Sequence, residues 1–266
     1  MTSTEPRDDS ITFLGTGGAR IMVAHQILAS GGLWLSLSGK NLLVDPGPGC
    51  IVQVNKRKLR AETLDAVVLS HRHLDHSGDT NVMIEAMTGG GFRGKGKFYA
   101  PADAFGPEPV MFSYLRKFLD EVVVLEEGGK YDLDGLKFET PLRHHHPVET
   151  YGLVFHSGGH TVAYVTDTRY FDGLIEAYKK ADLLIINVVL TESRPTVDHL
   201  TLAEAEQLIA GIKPKAAILT HFGMNVWRTH PWEAAAAMTE RTGVRVIAAR
   251  DGMVFHLNEI ANKKPD

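Results

Sequence analysis

Three of the chain's thirteen histidines fall within six residues, in the run Ser70-His71-Arg72-His73-Leu74-Asp75-His76. Crowded imidazoles beside a carboxylate are poor core material, because buried polar groups need partners. A divalent ion supplies those partners at once, and imidazole nitrogen with carboxylate oxygen suits zinc, iron or manganese. The run follows an apolar stretch, residues 66–69, that reads as a strand ending at Ser70. His71 and His73, two apart in extended chain, point to one side. Asp75 and His76 then open a helix, and Leu74 is expected to anchor the loop in the core. The remaining ligands must come from elsewhere in the chain.

Short β-branched or apolar runs at 11–14, 33–37, 41–44, 66–69, 122–125, 153–155, 162–165, 183–189, 216–219 and 244–248 read as strands, several buried on both faces. Helical patterns cover 50–60, 75–87, 171–180, 202–212 and 231–242. Asp198 or Thr201 caps the fourth, and Pro231 suits the first turn of the last. The early part is strand-rich and the later part alternates strand with helix, which predicts two packed sheets with helices outside rather than one doubly wound sheet. A chain of 266 residues buries a substantial core, here expected as one domain over 1–266 with flexible ends at 1–10 and 262–266.

The net charge of −4 argues against broad, nonspecific nucleic-acid binding. The basic run at 55–60 reads as a solvated helix C-terminus, with cations well placed against the dipole. A lone cysteine, Cys50, excludes an intramolecular disulfide and fits a reducing compartment. No apolar run reaches the length of a membrane span, and residues 1–10 lack the apolar core of a secretory signal, so a cytoplasmic location is expected. The Gly-rich stretch 89–97 is the expected mobile loop, either a substrate gate or a plain connection.

The H-x-H-x-D-H run after a strand resembles the metal-binding motif of the metallo-β-lactamase superfamily of binuclear hydrolases. Asn41-Leu42-Leu43-Val44-Asp45-Pro46-Gly47 resembles that family's early strand ending in Asp. Tyr164-Val165-Thr166-Asp167-Thr168 resembles the strand that delivers a bridging Asp, and Leu219-Thr220-His221-Phe222 the strand that delivers the last His. By residues alone, the third histidine is any of His144, His145 and His146. The segment His146-Pro147-Val148-Glu149-Thr150-Tyr151-Gly152 is similar to one in ribonuclease Z-like members, which assigns the ligand to His146 and leaves His144 and His145 as supporting or solvated residues.

The resemblance spans about 11–256 and implies an α/β fold, a four-layer αββα sandwich with metals at one sheet edge. It implies that His71, His73 and His146 hold one ion and Asp75, His76 and His221 the other, with Asp167 bridging. Two zinc ions are the first expectation; manganese or iron also fits this donor set. Asp45 takes an orienting role by hydrogen bonding. His73 stands where flavodiiron-type oxidoreductases have Glu, which favours hydrolysis.

The segment Ile11-Thr12-Phe13-Leu14-Gly15-Thr16-Gly17-Gly18-Ala19 resembles the opening of ribonuclease Z and related phosphodiesterases. It reads as a tight turn near the site, since it lacks the Lys-Ser/Thr of a P-loop. In Asp198-His199-Leu200-Thr201 the phosphodiesterase branch carries a non-ligand His, so the resemblance implies that His199 contacts the scissile phosphate and protonates the leaving oxygen. His199 and Asp75 are the expected catalytic residues. His146 and Asp167 are 21 positions apart, leaving no room for the tRNA-gripping arm of ribonuclease Z. Asn187 replaces a Glu that supports the corresponding His there, so His199 needs another partner, for which Asp198 is the candidate. His25, His156, His160, His230 and His256 have no spacing argument behind them.

The expectation is a dinuclear metal-dependent hydrolase, a phosphodiesterase in which a metal-bridging hydroxide attacks a small phosphodiester or cyclic phosphate. The alternatives are ester, thioester or lactone hydrolysis on the same ions, or a non-catalytic metal-binding scaffold. The expected partner is a small-molecule substrate, with no membrane; a homodimer is compatible with this reading.

Overall fold

The computed structural model describes residues 9–261. The ends at 1–8 and 262–266, expected to be flexible, lie outside the described residues, whereas Ser10 opens a strand paired to Ser36 and His256.

The first sheet takes β1 (Ser10–Phe13), β2 (Leu33–Leu37), β3 (Lys40–Val44), β4 (Ala66–Val68), β5 (Lys97–Pro101) and β6 (Glu121–Leu125). The second takes β7 (Gly129–Leu133), β8 (Leu136–Thr140), β9 (Leu153–Ser157), β10 (His160–Val165), β11 (Leu183–Asn187), β12 (Ala216–Thr220) and β13 (Arg245–Ala248); β14 (Val254–His256) then returns to the first. The orders are β14-β1-β2-β3-β4-β5-β6 and β13-β12-β11-β10-β9-β8-β7. Each sheet is half antiparallel and half parallel: β3 through β6 run parallel in one, β10 through β13 in the other.

Side-chain alternation makes the layers. Leu183 and Ile185 of β11 enter the core between the sheets with Ile11, Phe13, Phe138 and Tyr164. Leu184 and Ile186 point the other way, into a second core under α5 (Gly173–Tyr178), α6 (Leu202–Ile212) and α8 (Pro231–Thr242). On the far side of the first sheet, Leu43, Val67 and Phe98 pack beneath residues of α2 (Cys50–Lys56) and α4 (Thr80–Met87). A strand whose two faces are both covered buries every residue, and β4, β11 and β12 do so throughout. The result is the αββα sandwich. Among the described residues, no helix is long and apolar enough to cross a membrane.

Local chemistry explains where elements begin. Thr201 caps α6 in a full capping box with Glu204, and Pro231 opens α8, which closes at Gly243 in a left-handed turn. The helix expected over 75–87 is instead two, α3 (Leu74–Ser77) and α4. Asp79 leaves the helical ladder because its N–H donates to the Pro46 carbonyl at 2.9 Å, while its carboxylate accepts from the Ile51 N–H at 3.0 Å. Four strands, β5, β7, β8 and β14, are absent from the sequence reading. In β7 and β8 polar residues alternate with few apolar ones (Leu133, Leu136, Phe138), so no continuous apolar run marks them. The described residues also include the short helices α1 (Arg20–His25) and α7 (Met224–Arg228) and four 3₁₀ segments.

Candidate metal centre

Strand ends from both sheets build the site. β3 runs into Asp45 and β4 into the 71–76 loop, while β10 runs into Asp167, β11 ends in Asn187, and β12 runs into His221. These strands are parallel within their sheets, and carboxyl ends of parallel strands are where open α/β sheets hold ligands. Three of the nine described non-glycine residues with positive φ sit here: Asp45 (φ 54°), His221 (φ 58°) and Ala19 (φ 64°). Such backbone strain persists only where the surroundings enforce it, and it gathers at functional sites. Gly18 makes room for His221: a Cβ there would run into the imidazole ring.

All seven residues expected as ligands meet. Ligand atoms of His71, His73 and His146 lie within 4.8 Å of one another, as do those of His71, His76 and Asp167 and those of Asp75, His76 and His221. Asp167 is central. Its Oδ2 lies 3.3 Å from His76 Nε2, 3.8 Å from His71 Nε2 and 4.0 Å from His146 Nε2, and its Oδ1 lies 3.5 Å from His221 Nε2. Asp75 Oδ2 is 3.6 Å from His221 Nε2 and accepts from the Ala19 N–H at 3.2 Å.

Supporting hydrogen bonds aim the rings. His76 Nδ1 is 3.0 Å from Asp45 Oδ2, His71 Nδ1 is 3.0 Å from Ser70 Oγ, and His146 Nδ1 donates to the Asp198 carbonyl at 3.0 Å. Each bond at Nδ1 leaves Nε2 facing the centre, the usual arrangement of ligand histidines. Asp45 also accepts from the Ser70 N–H at 2.7 Å and Ser70 Oγ at 2.6 Å, so it orients the loop as expected. Nε2 of His71, His76 and His221 is buried without a hydrogen-bond partner. Three such atoms aimed at two carboxylates would each cost about 1–3 kcal/mol if left unpaired, and divalent cations fit them.

Electrostatics agree with that fit. Burial pushes the pKa of His71 well below its ordinary value and lowers those of His221, His146 and His73, keeping them neutral and able to ligate. Burial opposes the charge on Asp167, yet the His221, His199 and His76 imidazoles hold its carboxyl well below the carboxylate range. His76 departs from the others: burial opposes its charge, but Asp167, Asp75 and Asp45 together raise its pKa well above the ordinary value.

Two expectations need correction. Leu74 is 78% exposed, not anchored in the core, because it begins α3 on the outer side of the loop whose inward positions are His76 and Ser77. Asp198 does not support His199, since its carboxylate accepts from Arg169 Nε at 2.6 Å. His199 instead approaches Asp167, with Nδ1 3.6 Å from Oδ2 and 16% of its side chain exposed. The glycine-rich opening is the tight turn expected: the N–H groups of Thr16, Gly17 and Gly18 donate to Asp251, Ala29 and Phe222 and are not free to hold a phosphate.

Sequence reasoning missed the role of Asn187, whose Nδ2 donates to Asp167 Oδ1 at 2.9 Å. An amide closing an apolar strand, Leu183-Leu184-Ile185-Ile186-Asn187, was the available signal. It also missed Arg169, which pins the 195–198 segment through Asp198 and the Pro195 carbonyl. Of the two other histidines in the triplet, His145 is exposed and stacks on Phe171, and His144 is buried with Nε2 2.7 Å from Tyr178 Oη.

Burial drives the His144 pKa down to about 3. The unfolded chain therefore takes up this proton first as pH falls. Its contribution is complete above about pH 6.5 and is lost at about 1.4 kcal/mol per pH unit below that, until the folded group itself titrates. Urea unfolding of chelator-treated protein at pH 7 and pH 5 should show wild type losing about 2 kcal/mol more than His144→Gln. Parallel losses would refute this account.

A family model for the beta-lactamase superfamily domain matches residues 40–222. The chain belongs to the β-lactamase superfamily. It is 32% identical over 257 residues to the uncharacterized protein MJ1374 of Methanocaldococcus jannaschii, covering 93% of this chain and 94% of the relative. The crystal structure of the metallo-beta-lactamase fold protein YhfI from Bacillus subtilis superposes with a TM-score of 0.78 at 24% identity, over 93% of this chain and 99% of that one. A diphosphatase from the PhnP family superposes with a TM-score of 0.68 at 21% identity, over 94% and 98%. These structural likenesses are of fold. Family membership together with the His/Asp cluster makes the chain a metallo-hydrolase of the β-lactamase superfamily.

Proposed function

We propose that this superfamily member is a dinuclear phosphodiesterase acting on a small phosphodiester or cyclic phosphate in the cytoplasm. The observation that carries the reading is His199, a partly exposed imidazole that belongs to none of the three ligand groups yet lies 3.6 Å from Asp167. His71, His73 and His146 would hold one ion, and Asp75, His76 and His221 the other, with Asp167 between them; zinc is the first choice, manganese or iron the alternative. When bound, two such ions supply an activated water at neutral pH and neutralise charge on the phosphoryl oxygens.

The chain's own residues do the rest. His199, as imidazolium, donates a proton to the leaving oxygen, the step that a poor leaving group needs most. Asn187 fixes Asp167 through Oδ1, and Arg169 steadies the segment just before His199. Asp45 and Ser70 hold the 71–76 loop, so the ligands are positioned before substrate arrives. Between His146 and Asp167 the chain forms the tight hairpin of β9 and β10, turning at Gly158 and Gly159, which supports a small substrate over tRNA. The fold neighbour described as a diphosphatase points to the same phosphoryl chemistry.

Metal-loaded protein should turn over bis(p-nitrophenyl) phosphate and at least one cyclic nucleotide, and leave thioester and lactone panels largely untouched. Turnover confined to the acyl substrates would replace this reading with carbon-ester hydrolysis. No turnover with two bound ions would leave a binding scaffold.

A further inference from the structure

The turn over residues 14–19 carries no ligand, yet it touches two of them. The Ala19 N–H donates to Asp75 Oδ2 at 3.2 Å, and Gly18 lies so close to His221 that a Cβ there would meet its ring. The same turn grips Phe222, the residue after His221, on both sides. The Phe222 N–H donates to the Thr16 carbonyl at 2.7 Å, and the Gly18 N–H donates to the Phe222 carbonyl at 3.1 Å. Ala19 makes its bond to Asp75 with φ 64° and ψ 161°, a backbone region that residues with side chains rarely occupy. Such a conformation persists only where the surroundings enforce it, so something outside the turn must hold it.

Asp251 does this with three hydrogen bonds. Its Oδ1 accepts from the Thr16 N–H at 2.8 Å and from the Thr16 hydroxyl at 2.7 Å, and its Oδ2 accepts from the Ala29 N–H at 2.8 Å. Thr16 and Ala29 are buried, and bonds from N–H to a carboxylate are roughly twice as strong as neutral ones. The Gly17 N–H donates to the Ala29 carbonyl at 2.9 Å, so the carboxylate fastens two segments that already lie side by side. Asp251 is itself fixed in a tight turn, in which the Met253 N–H donates to the Arg250 carbonyl at 2.8 Å and Gly252 takes φ 86°. That turn is locked to the end of β1: the Gly252 N–H donates to the Phe13 carbonyl at 2.7 Å, and the Phe13 N–H donates to the Met253 carbonyl at 2.9 Å.

We infer that Asp251 is a positioning residue for one ion of the pair, the one assigned to Asp75, His76 and His221. The inference rests on the two-ion part of the proposed function and is independent of the substrate. Its effect runs from the carboxylate through Thr16 to Ala19, and from there to Asp75 and His221. The other ligand set is braced elsewhere, with His71 held by Ser70 Oγ and His146 by the Asp198 carbonyl. Loss of Asp251 therefore weakens one ion and spares the other, whereas a residue that only stabilised the fold would affect both alike. Asp251 stands 235 positions from Thr16 and 222 from Ala29, so no local pattern in the sequence announces it.

Calorimetric titration of chelator-treated protein with zinc reads the inference without turnover. Wild type is expected to take up two ions. In Asp251→Asn the amide accepts through only one of its two terminal atoms, so one segment loses its acceptor. One ion should then bind about tenfold more weakly and the other as in wild type. Asp251→Ala should widen that loss to about 100-fold; the milder Asp251→Asn carries the test if the alanine variant does not fold. The assignment to one ligand set is read in a His221→Ala background, where that ion is already lost. There Asp251→Asn should change the remaining affinity by less than about twofold, because the two substitutions act on the same ion. Equal weakening of both ions, two wild-type affinities in Asp251→Asn, or a further large loss in the His221→Ala background would overturn the inference and leave the two-ion reading in place. A wild type that takes up a single ion would overturn both.

Discussion

Replacing Asp167 with alanine is expected to strip the centre of bound metal and lower turnover by more than 100-fold. Its two oxygens lie within 4.0 Å of Nε2 of His71, His76, His146 and His221, so no other side chain addresses as much of the site. Losing a residue that merely orients a ligand costs about 10–100-fold in affinity or activity, and Asp167 stands one layer further in. The loss has a second part. His76 keeps its raised pKa through Asp167, Asp75 and Asp45 in that order, so removing the first biases the ring toward the neutral form. Metal content by elemental analysis and kcat on bis(p-nitrophenyl) phosphate check the expectation together. Two ions per chain with undiminished kcat would show that Asp167 bridges nothing.

His199→Ala tests the chemistry rather than the ligands. Metal content should stay at the wild-type level, because His199 lies outside the ligand groups. kcat on a cyclic nucleotide, whose leaving oxygen is an alcohol, should fall on the order of 100-fold, the range for a positioned general acid. The fall on bis(p-nitrophenyl) phosphate should be markedly smaller, since an acidic phenol departs without a proton. Equal losses on both substrates would assign His199 to phosphate binding instead. Acyl hydrolysis that survives the substitution while phosphodiester turnover never appears would move the protein to the ester-cleaving alternative.

Much of this site was legible because its signals are local. The spacing His71-x-His73-x-Asp75-His76 after a strand, Asp167 just past β10 and His221 just past β12 are each short patterns on one segment. The helices over 202–212 and 231–242 carry their start signals in sequence, and both appear with those bounds. What could not be read depends on contacts between distant segments. Asp79 breaks a helix because Pro46, 33 positions earlier, takes its N–H. Asp198 sits next to His199 in sequence but serves Arg169 across the fold, and Asn187 reaches Asp167 from a neighbouring strand. Leu74 misled for a different reason: an apolar residue in a polar run suggests an anchor, and only the direction of α3 shows that it points outward.

The centre straddles the seam of the sandwich. His71, His73, Asp75 and His76 hang from the first sheet, His146, Asp167 and His221 from the second, and the Ser70 and Thr166 hydroxyls, 3.0 Å apart, already reach across. Neither half of the polypeptide therefore owns a working site. A truncation, a circular permutation that separates the halves, or an early folding species with one sheet formed would carry the histidine motif intact and still lack the complete ligand cluster. The pocket comes into being at the moment the two sheets close, so anything bound there acts as a clasp on that closure, and its release should loosen this rim while the opposite rim stays shut.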